Sequence, residues 1–132
     1  MSEAEFIYGE KNGYIKNYGM NGYLEFEGKC QNGKINGKVK EYFNNKLVFE
    51  GEYLYDKKCR GKSYSYQTGI LEYDGEYYNE LRNGKGKEYY PNGNLRFEGE
   101  YLNEERNGKG KEYDENGKLV FEGEYIIGKK VN

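Results

Sequence analysis

One short unit is written about five times along this chain, and that repetition limits the available folds more than any other property. An aromatic residue, an acid, a glycine and then an acid or lysine start at Phe26, Phe49, Tyr73, Phe97 and Phe121. Gly28, Gly51, Gly75, Gly99 and Gly123 therefore recur every 23 or 24 residues. A second glycine row, Gly13, Gly37, Gly61, Gly84 and Gly108, keeps the same period. Self-similarity at this spacing means an array whose units pack on their neighbours. The repeats read as about 13–36, 37–60, 61–83, 84–107 and 108–132. A degenerate half repeat over 5–12 precedes them, with Tyr8-Gly9-Glu10 as an earlier copy, and the whole of 1–132 forms one array.

Each unit reads as two short strands. LRFEGEYL and LVFEGEYI alternate with period 2 between Asn/Gly-rich turns. Five residues after each second-row glycine stands a tyrosine: Tyr18, Tyr42, Tyr66, Tyr89 and Tyr113. The next recurring residue is Leu24, Leu47, Leu71, Leu95 or Leu119. If each Tyr faces its Leu across a hairpin, Pro91-Asn92-Gly93 and Glu115-Asn116-Gly117 are three-residue loops ending in a left-handed glycine. Asn44-Asn45 and Thr68-Gly69 are then two-residue primed turns. This predicts an all-β, single-layer, elongated antiparallel sheet of stacked hairpins with about eleven strands, on the order of 50 Å along its stacking axis. Continuing the alternation sorts the side chains. Phe49, Tyr53, Tyr73, Tyr77, Tyr89, Phe97, Tyr101, Tyr113, Phe121 and Tyr125 are expected on one face, with Lys38, Lys40, Lys85, Lys87, Lys109 and Lys111 beside them. Glu88, Glu98, Glu100, Arg96 and the bare backbone of Gly84 and Gly86 are expected on the other. The strand from Phe121 to Ile127 is expected as an exposed edge, since the chain stops where the next second-row glycine would follow.

Composition agrees with such a sheet and excludes several chemistries. There are 17 Tyr, 6 Phe and 20 Gly against a single Pro and no Trp, and a net charge of −2. The chain is poor in aliphatic core formers, so a helical bundle or a Leu/Val-packed globule is not expected. Absence of histidine removes His-based triads and the commonest metal ligand. Cys30 and Cys59 have no CxxC spacing, which fits a reducing, intracellular and cytoplasmic setting; Cys30 reads as a degenerate core position and Cys59 as a loop thiol. No stretch approaches the roughly 18 apolar residues of a membrane-spanning helix. Near-neutral charge gives no generic attraction to nucleic acid. Gly-Lys-Gly pieces recur before hairpin turns with no helix N-terminus to hold phosphate, so no nucleotide cofactor is expected.

The unit resembles the MORN repeat, on Phe97-Glu98-Gly99-Glu100-Tyr101 together with Gly84-Lys85-Gly86 and the Asn92-Gly93 turn. The resemblance runs from about Glu5 to Asn132. An aromatic stands five residues after the second-row glycine, where the usual repeat has it at four, and the KEYxxNGxL wording follows. In both respects the chain is closer to MORN-variant repeats of bacterial proteins, some of which resemble antitoxin components. Ile15, Val39 and Ser63 replace the Gly86 and Gly110 of the later units, and Cys30 stands where Tyr53, Tyr77, Tyr101 and Tyr125 recur. The resemblance implies a non-catalytic scaffold that organises protein partners, sometimes dimerises, and is associated with the membrane surface or cytoskeleton.

Two readings of the ring face stand side by side. The rings pack on one another along the sheet, or they receive a protein partner or a second copy. The six lysines read either as cross-strand charge balance with stems over the rings or as contacts to an anionic group such as a phosphoinositide. Toxin neutralisation through the ring face is the further alternative. Paired carboxylates such as Glu98 and Glu100 lack the cleft a glycosidase needs. No catalytic, metal or cofactor residue is assigned.

Overall fold

A computed structural model describes residues 2–7 and 10–131, with side chains from 13 to 131. Among these, twelve strands form one antiparallel sheet in strict chain order, hairpin after hairpin. The strands are β1 Ser2–Ile7, β2 Glu10–Tyr18, β3 Leu24–Gln31, β4 Lys34–Phe43, β5 Lys46–Leu54 and β6 Lys57–Tyr64. They continue as β7 Leu71–Tyr78, β8 Leu81–Tyr89, β9 Leu95–Leu102, β10 Glu105–Tyr113, β11 Leu119–Ile126 and β12 Lys129–Val131. The Tyr8-Gly9 part of the early copy lies outside the described residues. The expected edge after Phe121 is corrected at its end: β12 pairs with β11 from Glu124↔Val131 to Ile126↔Lys129, which raises the strand number above the expected eleven.

The expected hairpin pairings hold in four of five units: Tyr18↔Leu24, Tyr42↔Leu47, Tyr89↔Leu95 and Tyr113↔Leu119. In β8–β9 the three-residue loop closes with Tyr90 N–H donating to the Asn94 carbonyl at 2.9 Å and Gly93 N–H to the Tyr90 carbonyl at 2.9 Å. Gly93 takes a φ of 90°. Asn44 and Asn45 both have positive φ, 47° and 67°, as a two-residue primed turn requires. The third unit differs, since Tyr64 and not Tyr66 faces Leu71. Its loop is wider because the Ser65 hydroxyl accepts from the Gln67 and Thr68 amides, each at 3.2 Å, an arrangement that competes with a tight turn.

The assignment of faces is corrected by a bulge that recurs in every unit. Tyr89 pairs with Leu95, yet the next pair is Glu88 with Phe97, so Arg96 is an extra residue on its strand. The same shift falls between Asn17 and Tyr18, Glu41 and Tyr42, Ser63 and Tyr64, and Glu112 and Tyr113. One inserted residue inverts all side chains beyond it relative to the partner strand. Lys85 and Lys87 therefore pair with Glu100 and Glu98, and Lys109 and Lys111 with Glu124 and Glu122. Lys38 and Lys40 likewise pair with Glu52 and Glu50. All six lysines lie on the face opposite the buried rings, and Tyr89 and Tyr113 go with them. Glu88 and Gly86 move to the ring face.

On that face rings lie flat over a row of glycines that runs across neighbouring strands, paired Gly51↔Gly61, Gly75↔Gly86 and Gly99↔Gly110. Phe49, Tyr73, Phe97, Tyr101 and Tyr125 are each at most 4% exposed. They belong to one continuous edge-to-face series from Phe26 through Tyr53, Phe49, Tyr77, Tyr73, Tyr101, Phe97 and Tyr125 to Phe121, with centroids 5.2–6.3 Å apart. In the early units, Ile15 and Val39 occupy glycine positions of the later ones and are themselves buried, as is Cys30 at the missing tyrosine.

Candidate functional site

Bulge, alternation and hairpin order together give the sheet two unlike faces. On the ring face a cation lies over each of four rings: Lys58 over Phe49 at 4.1 Å, Arg82 over Tyr73 at 4.5 Å, Arg106 over Phe97 at 4.2 Å and Lys130 over Phe121 at 5.1 Å. These cations close the face over the rings and satisfy the acids that the bulge turned inward. Arg106 donates from Nε to Glu88 at 2.9 Å and from Nη1 to Glu112 at 3.0 Å. Lys58 lies 3.4 Å from Glu41 and Lys130 2.8 Å from Glu112. Tyrosine hydroxyls donate to the same acids, Tyr53 to Glu41 at 2.9 Å and Tyr101 to Glu88. Where the third unit has Ser63, that hydroxyl and Tyr77 share a hydrogen bond of 2.5 Å.

The electrostatics follow from burial and these partners. Burial pushes the Tyr53 and Tyr101 hydroxyls well above the usual phenol range, and the neighbouring carboxylates push further. Burial also raises Tyr73. Phenols held this way remain neutral donors. Burial alone would raise Glu88, yet hydrogen bonds from Arg106 and Tyr101 hold it below the ordinary carboxylate value. The ring face is thus a core of aromatics and cations joined by an inward acid in the units that carry Glu41, Glu88 and Glu112.

Of the side chains expected to meet a partner, Phe49, Tyr73, Phe97, Tyr101 and Tyr125 are core, while Tyr53, Tyr77 and Phe121 are half-buried. Tyr89 and Tyr113 stand on the other face, where Tyr113 donates to Glu98 at 3.0 Å. That other face carries a trough of about 700 Å³ across β7–β11, floored by the backbone of Gly86, Gly99, Gly110 and Gly123. Its walls are Asp74, Lys85, Lys87, Glu98, Glu100, Lys109, Lys111, Glu122 and Glu124. A second hollow, of about 440 Å³, lies on the same face between Tyr14, Lys38, Lys40, Glu50 and Glu52. From β4 to β11 the exposed charges of this face alternate strand by strand: basic on β4, β6, β8 and β10, acidic on β5, β7, β9 and β11. Each lysine faces an acid across the ladder, yet contact is loose. Of the four trough lysines, Lys111 alone has an ion pair among the described residues, 3.9 Å from Glu122.

The row Lys58, Arg82, Arg106 and Lys130 was not singled out by the repeat pattern, although a 24-residue spacing marks it in the sequence. Among the described residues there is no group of three or more His, Cys, Asp or Glu side chains that could hold a metal ion. Neither cysteine forms a disulfide, and the Cys59 thiol donates to the Glu52 carbonyl at 3.3 Å.

Residues 82–103 and 106–126 match the family model of the MORN repeat variant. These two stretches are the most regular units, in which both the Arg-Asn-Gly-Lys-Gly-Lys-Glu-Tyr segment and the glycine between acids are complete. A search of the curated proteins finds no match to the chain.

Proposed function

Since two adjacent stretches of the chain match the MORN repeat variant, we propose that it is a non-catalytic scaffold of that family that binds a protein partner along the trough of its lysine–glutamate face. The observation that carries this reading is the division of labour between faces. The rings that could have formed a sticky surface are consumed as core, at most 4% exposed in Phe49, Tyr73, Phe97, Tyr101 and Tyr125. The trough instead presents charges on a ladder in which Lys85, Lys87 and Lys109 have no ion pair among the described residues and Lys111 has a loose one. Its lining of four lysines against five carboxylates offers no net positive field for a phosphoinositide or nucleic acid. It suits a partner of mixed charge.

The test is capture from a lysate of the source organism, with the wild-type chain and with K87E/K111E as baits of equal thermal stability. Proteins retained by the wild type should fall at least tenfold on the variant. Equal retention by both baits would remove the trough as the contact surface.

A further inference from the structure

The trough's partner can be specified from the spacing of its charges, and this inference rests on the reading of the trough as the contact surface. We infer that the segment it receives is an α-helix lying across the strands, with acid and base alternating every three to four residues along one side.

Three dimensions lead there. Strands in a ladder are about 4.8 Å apart, so acidic and basic stripes alternate at that step and like charges return every ~9.6 Å along the stacking axis. Seven residues of helix rise about 10.5 Å, and three to four residues about 5 Å, so a helix along this axis offers charges at nearly the stripe spacing. Over the four strand steps of the trough, about 19 Å, the mismatch grows to only about 2 Å. An extended peptide along the same axis returns to one side every ~6.6 Å and loses phase within one stripe pair.

Size agrees with spacing. A volume of about 700 Å³ over that length corresponds to a cross-section near half that of a helix of about 10 Å diameter. The helix would sit half sunk, its charged side toward the walls. A second copy of the chain is the poorer occupant, because two hollow faces laid together leave a void where packing should be.

Charge complementarity is available because the lysines are not locked in pairs, although Glu98 and Glu100 each commit one oxygen, to the Tyr113 hydroxyl and the Lys109 amide. Lys111 reaches Glu122 only at 3.9 Å, and Lys85, Lys87 and Lys109 have no ion pair among the described residues. Exposed pairs of this kind hold only weakly within the chain. A helix that brings the opposite charge to each stripe would meet little internal competition, and mismatched registers would place like charges together.

The probe is a fluorescent helical peptide of the heptad Glu-Ala-Ala-Lys-Ala-Ala-Ala repeated three times. It is compared with a peptide of identical composition whose acids fill the first half and whose lysines fill the second. Anisotropy is read against the full chain. The alternating peptide should bind saturably, at least tenfold tighter than the block peptide, and should weaken at least tenfold in 0.5 M salt. The exchange K87E/E98K keeps that cross-strand pair while inverting the local stripe, and it sets like charges beside Asp74 and Lys111, so it should weaken the alternating peptide several-fold when binding is read well below its Tm. Equal binding of both peptides, or binding of neither, would overturn the helix inference. In that event, loss of captured protein on K87E/K111E leaves the trough as contact surface with a different occupant, whereas unchanged capture removes both readings. Self-association of the chain that K87E/E98K abolishes would assign the face to a second copy and overturn the inference too.

Discussion

Gly99 sits where two strands and a ring converge, and a single methyl group there has nowhere to go. A Cβ at Gly99 would lie 2.5 Å from the Lys109 carbonyl oxygen, 2.6 Å from the Gly110 Cα and 2.8 Å from the Phe97 ring. Two of those neighbours are backbone, so relief requires prising β9 from β10. We expect Gly99→Ala to lower stability by about 3 kcal/mol, at the upper end of overpacking costs. Gly93 makes the contrast, since a Cβ there meets nothing within 4 Å and suffers only from its φ of +90°. Gly93→Ala should cost about 1–2 kcal/mol. Chemical denaturation of both variants checks the order, and an equal cost would mean that the sheet centre yields more easily than its geometry implies. The sequence shows these glycines as a row, but their reason is not legible in it: nothing in Phe-Glu-Gly-Glu says that the ring folds back over its own glycine and the one across the ladder. Lys58, Arg82, Arg106 and Lys130 share that fate. Their spacing is visible, yet a cation nine residues from the ring it covers comes over that ring only once strands pair.

At the scale of the hairpin, the bulge is the decisive element and the one the residue pattern conceals. Leu95-Arg96-Phe97 continues an even alternation, so the string reads as one uninterrupted strand, and the Tyr–Leu pairing derived from loop lengths holds here as in three other units. What fails is the next step, because Arg96 is absorbed and Phe97 opposes Glu88. The cost of turning Glu88 inward is met by Arg106, which comes from β10 and joins Glu88 of β8 to Glu112 of its own strand. This pair is mostly buried, with side chains 16% and 17% exposed, so removing one partner leaves the other uncompensated. We expect Glu88→Gln to lower stability at neutral pH by about 3 kcal/mol. The pH dependence has a definite sign. Glu88 is held below its ordinary value of 4.5 in the folded chain, so the folded state binds fewer protons than the unfolded one in that range. The stability it contributes is complete above pH 4.5 and drains as the pH falls through the lower folded value. Thermal melts of the wild type should therefore steepen in their acid limb below that point, and Glu88→Gln should flatten it. An unchanged acid limb in the variant would place the acid sensitivity elsewhere, with Glu112, which Lys130 and Arg106 hold low by hydrogen bonds, as the first residue to exchange next.

Over the whole molecule, backbone pairing among the described residues joins each strand only to the one before and the one after, while the rings and Arg106 reach one strand further. Such a chain is a one-dimensional object whose cooperativity depends on how each unit grips the next. Turns contribute at the two long edges: Ile127 N–H donates to the Asn107 side chain at 3.0 Å, Asn103 N–H to Asn83 at 3.1 Å, and the Tyr90 hydroxyl to the Tyr113 carbonyl at 2.6 Å. Down the middle the grip is the ring series, and Tyr73 is the link where the irregular units meet the regular ones. Tyr73 is fully buried, meets Tyr77 and Tyr101 edge to face at 5.3 Å each, and lies under Arg82. Units before it contain Ile15, Val39 and Cys30 in place of glycines and a tyrosine, whereas units after it are regular and carry the better-filled trough. Replacing Tyr73 by Ala removes about 3–5 kcal/mol of packing at the seam between these halves, leaving the backbone ladder and the turn hydrogen bonds to hold them together. The expected outcome is uncoupling and not uniform loss. Hydrogen exchange should accelerate across β5–β8 while β9–β11 keep most of their protection, and a single melting transition should separate into two. Uniform acceleration along all strands would mean that the array folds as one block whose cooperativity does not pass through the rings. Retained binding of the alternating-charge helix by the protected half would, in turn, locate recognition in the regular units alone.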